Sequence, residues 1–134
     1  MIRTFLIASA LIFLNCKKAN PSNNPPFTNS PQLFSITPGI IDEASGIADS
    51  YANPGYLWVE QDSGNPPVLT LVKHDGTIEK EIFINNSTNR DWEDVQVSNG
   101  PDPSKKYIYL GEIGDNAAVY FKYAIYRFAE PSRS

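Results

Sequence analysis

The feature that most constrains this chain is an internal repeat. Ser45-Gly46-Ile47 corresponds to Glu93-Asp94-Val95, and Leu57-Trp58-Val59 to Ile108-Tyr109-Leu110. Gln61-Asp62-Ser63-Gly64-Asn65 corresponds to Glu112-Ile113-Gly114-Asp115-Asn116, and residues 68–72 to residues 123–127. The offset is about 50 residues and drifts at the loops, and four short antiparallel strands in a unit of roughly that length are the signature of a β-propeller blade. A plain β-meander with similar turn chemistry is the simpler alternative; the matched polar strand ends favour the propeller.

The punctuation of the chain agrees with an all-β fold. Eleven prolines and eight glycines divide 134 residues into short segments. Strands are expected at residues 33–36, 56–59, 68–73 and 78–84, then over the apolar runs after Trp92, at 107–110 and at 123–128. Asn53-Pro54-Gly55 reads as a turn, with Pro setting φ and Gly taking positive φ. Asp75-Gly76 suits a type I′ hairpin. Aromatic and β-branched residues are plentiful, which argues against global disorder. A net charge of −4 and a pI near 4.9 make a nucleic-acid backbone an unsuitable partner.

The single cysteine excludes an internal disulfide. It also closes a signal-like start. Met1-Ile2-Arg3 is basic, residues 4–14 are apolar apart from Thr4 and Ser9, and Asn15-Cys16-Lys17-Lys18 is an abrupt polar switch. Such a run suits a signal peptide and falls short of the roughly 20 residues of a spanning helix. The switch resembles the lipobox of bacterial lipoproteins, with Asn15 in place of the usual small residue and Phe13 in place of the usual Leu. The resemblance implies a lipoprotein signal peptide at 1–15 and lipidation of Cys16. It also implies export to the cell envelope, anchored to the outer membrane or surface, or secretion; an ordinary signal peptide with an incidental cysteine is the alternative. Residues 16–31, rich in Asn, Pro and Ser, form a tether with too little apolar surface to offset its ordering entropy. The folded part is expected at 32–131, with a tail at 132–134.

Two strand ends collect acidic residues. Asp91, Glu93 and Asp94 precede one apolar run, and Glu112 and Asp115 follow another. In an antiparallel pair those ends lie side by side. Asp91 and Glu93, two apart, share a face, and Asp94 takes the other. Like charges about 4 Å apart cost about 4 kcal/mol at an effective dielectric of 20, so the rim calls for solvent, Arg90, protonation or a cation. Ca²⁺ takes about 6–8 oxygen ligands, and Glu43, Asp62, Asp91, Glu93, Glu112, Asp115 and Asn116 are the right types. No Asp-x-Asp-x-Asp-Gly loop is present. The competing reading is that these side chains cap turns and accept backbone amides. No Gly-x-Ser-x-Gly elbow follows from Ser45 or Ser63. The one histidine, His74, sits beside a hairpin turn, where it is expected to be solvated.

The motifs Glu43-Ala44-Ser45-Gly46-Ile47-Ala48, Leu57-Trp58-Val59 with Gln61-Asp62-Ser63-Gly64, Arg90-Asp91-Trp92-Glu93-Asp94 and Tyr109-Leu110-Gly111-Glu112-Ile113-Gly114-Asp115-Asn116 carry a family likeness. They resemble the opening blades of a largely uncharacterised group of secreted bacterial β-propellers. That group is distantly similar to the esterase-like phytase and gluconolactonase-like propellers. The resemblance covers residues 42–131 and implies a partial propeller of about one and three-quarter four-stranded blades, the N-terminal fragment of a chain about twice as long. It implies a lipid-anchored binding module for a small-molecule or glycan ligand, with a cation such as Ca²⁺ at the channel mouth. The alternative is a metal-dependent esterase, lactonase or phosphatase, of which this chain is an inactive fragment. Blades without neighbours leave apolar faces open to self-association, and Ile47, Trp58, Val95, Val97, Tyr109 and Ile125 are expected near those faces or in the core between the blades.

Overall fold

The computed structural model describes residues 30–134. The signal-like segment, Cys16 and most of the tether lie outside the described residues. The folded unit, Leu33–Ser134, is all-β.

Seven strands form two antiparallel sheets. The first sheet has the order β1-β2-β3-β4, from β1 (Ala44–Asp49), β2 (Tyr56–Gln61), β3 (Val68–Lys73) and β4 (Ile78–Phe83). The second has the order β5-β6-β7, from β5 (Trp92–Asn99), β6 (Lys106–Glu112) and β7 (Ala124–Ala129). Each sheet is a meander of sequential neighbours, an antiparallel order that needs no crossover connection. Neither closes on itself.

The repeat has a direct structural counterpart. In β1 the register with β2 shifts between Ala44 and Gly46. In β5 the register with β6 shifts between Trp92 and Asp94. The aligned residues Ser45 and Glu93 are thus the extra residues of matching β-bulges, and each strand bends there. The bulge in β5 lets both Trp92 and Val95 enter the core, which strict alternation from Trp92 would forbid.

The core lies between the sheets. Trp58, Leu69 and Leu71 of the first meet Trp92, Val95, Ile108 and Leu110 of the second in one buried cluster. Trp92 meets Tyr126 edge-on, with centroids 6.4 Å apart. Of the residues expected at the blade faces, Trp58 and Val95 are buried, Val97 packs against the cluster, and Ile47 and Ile125 are exposed. Tyr109 shares the outer face of the second sheet with Asp94, Gln96, Gly111 and Ile125.

Two local expectations are corrected. Residues 33–36 are not a strand; Leu33 and Phe34 are exposed, and the first ladder begins instead at Ala44. The Asp75-Gly76 turn is not type I′, which needs positive φ at both central residues. Only Gly76 has positive φ, at 87°. Gly76 N–H donates to Lys73 O and Lys73 N–H to Thr77 O, the pattern of a three-residue loop with glycine at a bulge. Gly55, at φ 88°, closes the Asn53-Pro54-Gly55 turn as expected.

The chain after β7 is fastened to the first sheet by Glu130. Its Oε1 accepts from Ser50 Oγ at 2.7 Å, Tyr51 N at 3.0 Å and Trp58 Nε1 at 3.0 Å, and its Oε2 from Ala52 N at 2.9 Å. Asn53 continues the seam, donating to Pro131 O and accepting from Arg133 N.

Candidate functional site

The acidic rim forms where β2 ends and β5 begins. Asn89 brings the two together: its Nδ2 donates to Gln61 O at 2.8 Å and Asp62 O at 3.0 Å, and its Oδ1 accepts from Trp92 N at 3.2 Å. Gly114 N donates to Asp91 O at 3.0 Å, and Asp62 N donates to Glu43 O at 2.9 Å. The result is a group of three carboxylates, Asp62, Asp91 and Glu93, with oxygens all within 4.8 Å of one another.

Asp91 is the enclosed member at 6% exposure, and its Oδ1 is buried with no hydrogen-bond partner. Asp62 and Glu93 are more accessible. Burial, then the hydrogen bond and charge of Asp62, push the Asp91 carboxyl above its usual range; Arg90 opposes this. Glu93 is also raised, by burial and then by Asp62 and Asp91. Asp91 and Glu93 therefore resist being charged side by side. Gly114 completes the wall. A Cβ there would collide with the carboxylates of Asp91 and Glu93, so any other residue at this position would displace them.

The other candidate residues are engaged differently. Glu112 is buried, and its carboxylate accepts Asp91 N at 2.6 Å and Arg90 N at 3.1 Å, with Arg90 Nε 3.5 Å away. It caps the turn that aims Asp91. Asp115 caps the following loop, accepting Val119 N at 2.8 Å, Tyr120 N at 2.9 Å and Tyr123 Oη at 3.2 Å. Burial works to raise its pKa, but those donors outweigh it and leave Asp115 below the usual range. Glu43 accepts from Asn65 Nδ2 at 3.3 Å. Asn116 is an exposed residue of the turn after Asp115. None of the four joins the group of three. Asp94 lies on the opposite face, in register with Gly111. His74 pairs with Asp49, Nε2 to Oδ1 at 2.8 Å, half exposed beside its hairpin.

One acidic residue not foreseen as functional is Glu60. It is fully buried between the sheets, and burial raises its pKa to about 7, helped by the nearby charges of Asp62, Glu93 and Asp94 and opposed by Ser45. Ser45 Oγ lies 3.0 Å from Glu60 Oε1 and 2.9 Å from Trp92 O. A hydroxyl has one proton to donate. With Glu60 protonated, its O–H donates to Ser45 Oγ and Ser45 donates to Trp92 O, so both contacts are satisfied at once. Glu60 fits because its partner across the ladder is Gly46; a Cβ on Gly46 would sit 2.5 Å from Glu60 Oε1.

The three carboxylates are oxygen donors of the kind a hard cation takes. Asp91 Oδ1 is buried and has no hydrogen-bond partner among the described residues. Comparison with family models, with curated proteins and with solved structures finds no match to this chain.

Proposed function

We propose that the chain is an exported, lipid-anchored β-module of propeller type whose rim binds a divalent cation of the Ca²⁺ class through Asp62, Asp91 and Glu93. The observation that carries the reading is the group of three carboxylates, Asp62, Asp91 and Glu93, whose central member Asp91 is buried with an Oδ1 that accepts no hydrogen bond. A buried acceptor left unpaired costs about 1–3 kcal/mol, and a cation removes that cost together with the mutual repulsion of the three groups. Support for the propeller comes from the matching bulges of β1 and β5 and from the packing of one meander on the next. The cation would tie the end of β2 to the start of β5 and so hold the rim in shape for a small-molecule or glycan ligand.

Calorimetric titration of the full chain with CaCl₂ tests this, with Asp91→Asn as the control. The wild type should bind and the variant should not. At 100 times the dissociation constant, a cation bound only by the folded state adds about 2.7 kcal/mol, so thermal melts should separate by several degrees. Coincident melts and no binding heat would overturn the proposal.

A further inference from the structure

The loop joining β6 to β7 presents a run of apolar side chains to solvent. Val119 is 58% exposed, Tyr120 40%, Phe121 100% and Tyr123 57%. The loop is nevertheless firmly held. Asp115 accepts the amides of Val119 and Tyr120 and the hydroxyl of Tyr123. Ala118 turns the chain at φ 51°. The Arg90 guanidinium stacks 3.9 Å from the centre of the Tyr120 ring, and its Nη1 donates to Lys122 O at 2.9 Å. Phe121 is thus held outward between two anchored neighbours. From Asn116 to Tyr123 the only charged side chain is Lys122.

We propose that this loop is a membrane-contact element that places Val119 and Phe121 in the acyl boundary of a lipid surface, with Tyr120, Lys122 and Tyr123 at headgroup level. The order of chemistries favours lipid. An apolar apex flanked by tyrosines and a lysine is the distribution found at bilayer interfaces, where amphipathic rings and a snorkelling amine sit between water and hydrocarbon. The contact is distinct from the lipidation proposed at Cys16 and from the cation proposed at Asp91.

The full chain carrying Cys16→Ser has no cysteine, so Phe121→Cys in that background takes a single environment-sensitive fluorophore. Lys105→Cys, on the connection between β5 and β6, provides the comparison. Because residues 4–14 can themselves bring the chain to lipid, the readout is the site-specific probe on vesicles of phosphatidylethanolamine and phosphatidylglycerol. The Phe121 probe should shift to the blue and be quenched by lipid-borne nitroxide, while the Lys105 probe should do neither. A Phe121 probe that stays in water on vesicle-bound chain overturns the proposal, as does a chain that does not bind the vesicles. A shift that follows protein concentration without lipid also overturns it, and assigns the loop to a second copy.

Discussion

Replacing Glu60 with glutamine should make the protein's stability less sensitive to pH. The folded state holds the Glu60 carboxyl at about 7 against an ordinary 4.5. Below the ordinary value both folded and unfolded chains keep the proton, and nothing is lost. As pH rises from about 4.5 to about 7 the unfolded chain releases the proton and the folded one does not, so stability falls. Each unit is worth about 1.4 kcal/mol, so the full window comes to about 3 kcal/mol, a large share of the 5–15 kcal/mol typical of a domain. Glutamine keeps the shape, and its amide donates to Ser45 as the protonated acid does. Glu60→Gln should therefore match the wild type at pH 5 and exceed it by about 3 kcal/mol at pH 8. Urea titrations at both pH values, followed by the fluorescence of the buried Trp58 and Trp92, measure this. Asp91, Glu93 and Asp115 titrate in both proteins and cancel in the difference. Parallel pH profiles for the two would refute the assignment of a neutral Glu60 between the sheets.

Gly114→Ala should weaken Ca²⁺ binding by at least about tenfold, because its Cβ displaces Asp91 and Glu93; unchanged affinity by calorimetry would place the cation elsewhere. Metabolic labelling with a radiolabelled fatty acid should tag the wild type and spare Cys16→Ser; equal labelling, or none, would remove the lipid anchor. Ile47 and Ile125 are 61% and 67% exposed on outer sheet faces, so light scattering after size-exclusion chromatography should show concentration-dependent association that Ile47→Lys with Ile125→Lys abolishes. A monomer at every concentration would contradict it.

The acidic rim was legible because antiparallel geometry leaves few choices. Residues before one strand and after its neighbour must meet, and the Asp91 backbone amide does donate to the Glu112 carboxylate. The division of labour among them was not legible. Glu112 turns inward to cap a backbone turn while Asp91 stays unpaired, and that depends on the bulge at Glu93 and on the approach of Gly114. Glu60 was hidden for a similar reason. Three polar residues in a row, Glu60-Gln61-Asp62, read as a strand leaving the core; only the cross-strand pairing with Gly46 makes room for the first of them inside. Residues 33–36 carry strand-forming side chains, yet propensity alone cannot supply a neighbour to pair with.

Glu130 sets an order on how the chain matures as it emerges from the ribosome. Ser50, Tyr51, Ala52 and Trp58 appear first, and their acceptor follows 72 to 80 residues later. At synthesis rates of about 5–20 residues per second, the delay is roughly 4–16 s. Through that interval the indole N–H of Trp58 and two turn amides have only water to bond, so burying Trp58 would strand a donor. Glu130 can close that corner only once β7 has passed. The corner around Trp58 closes late, after the strands of both sheets have been synthesised.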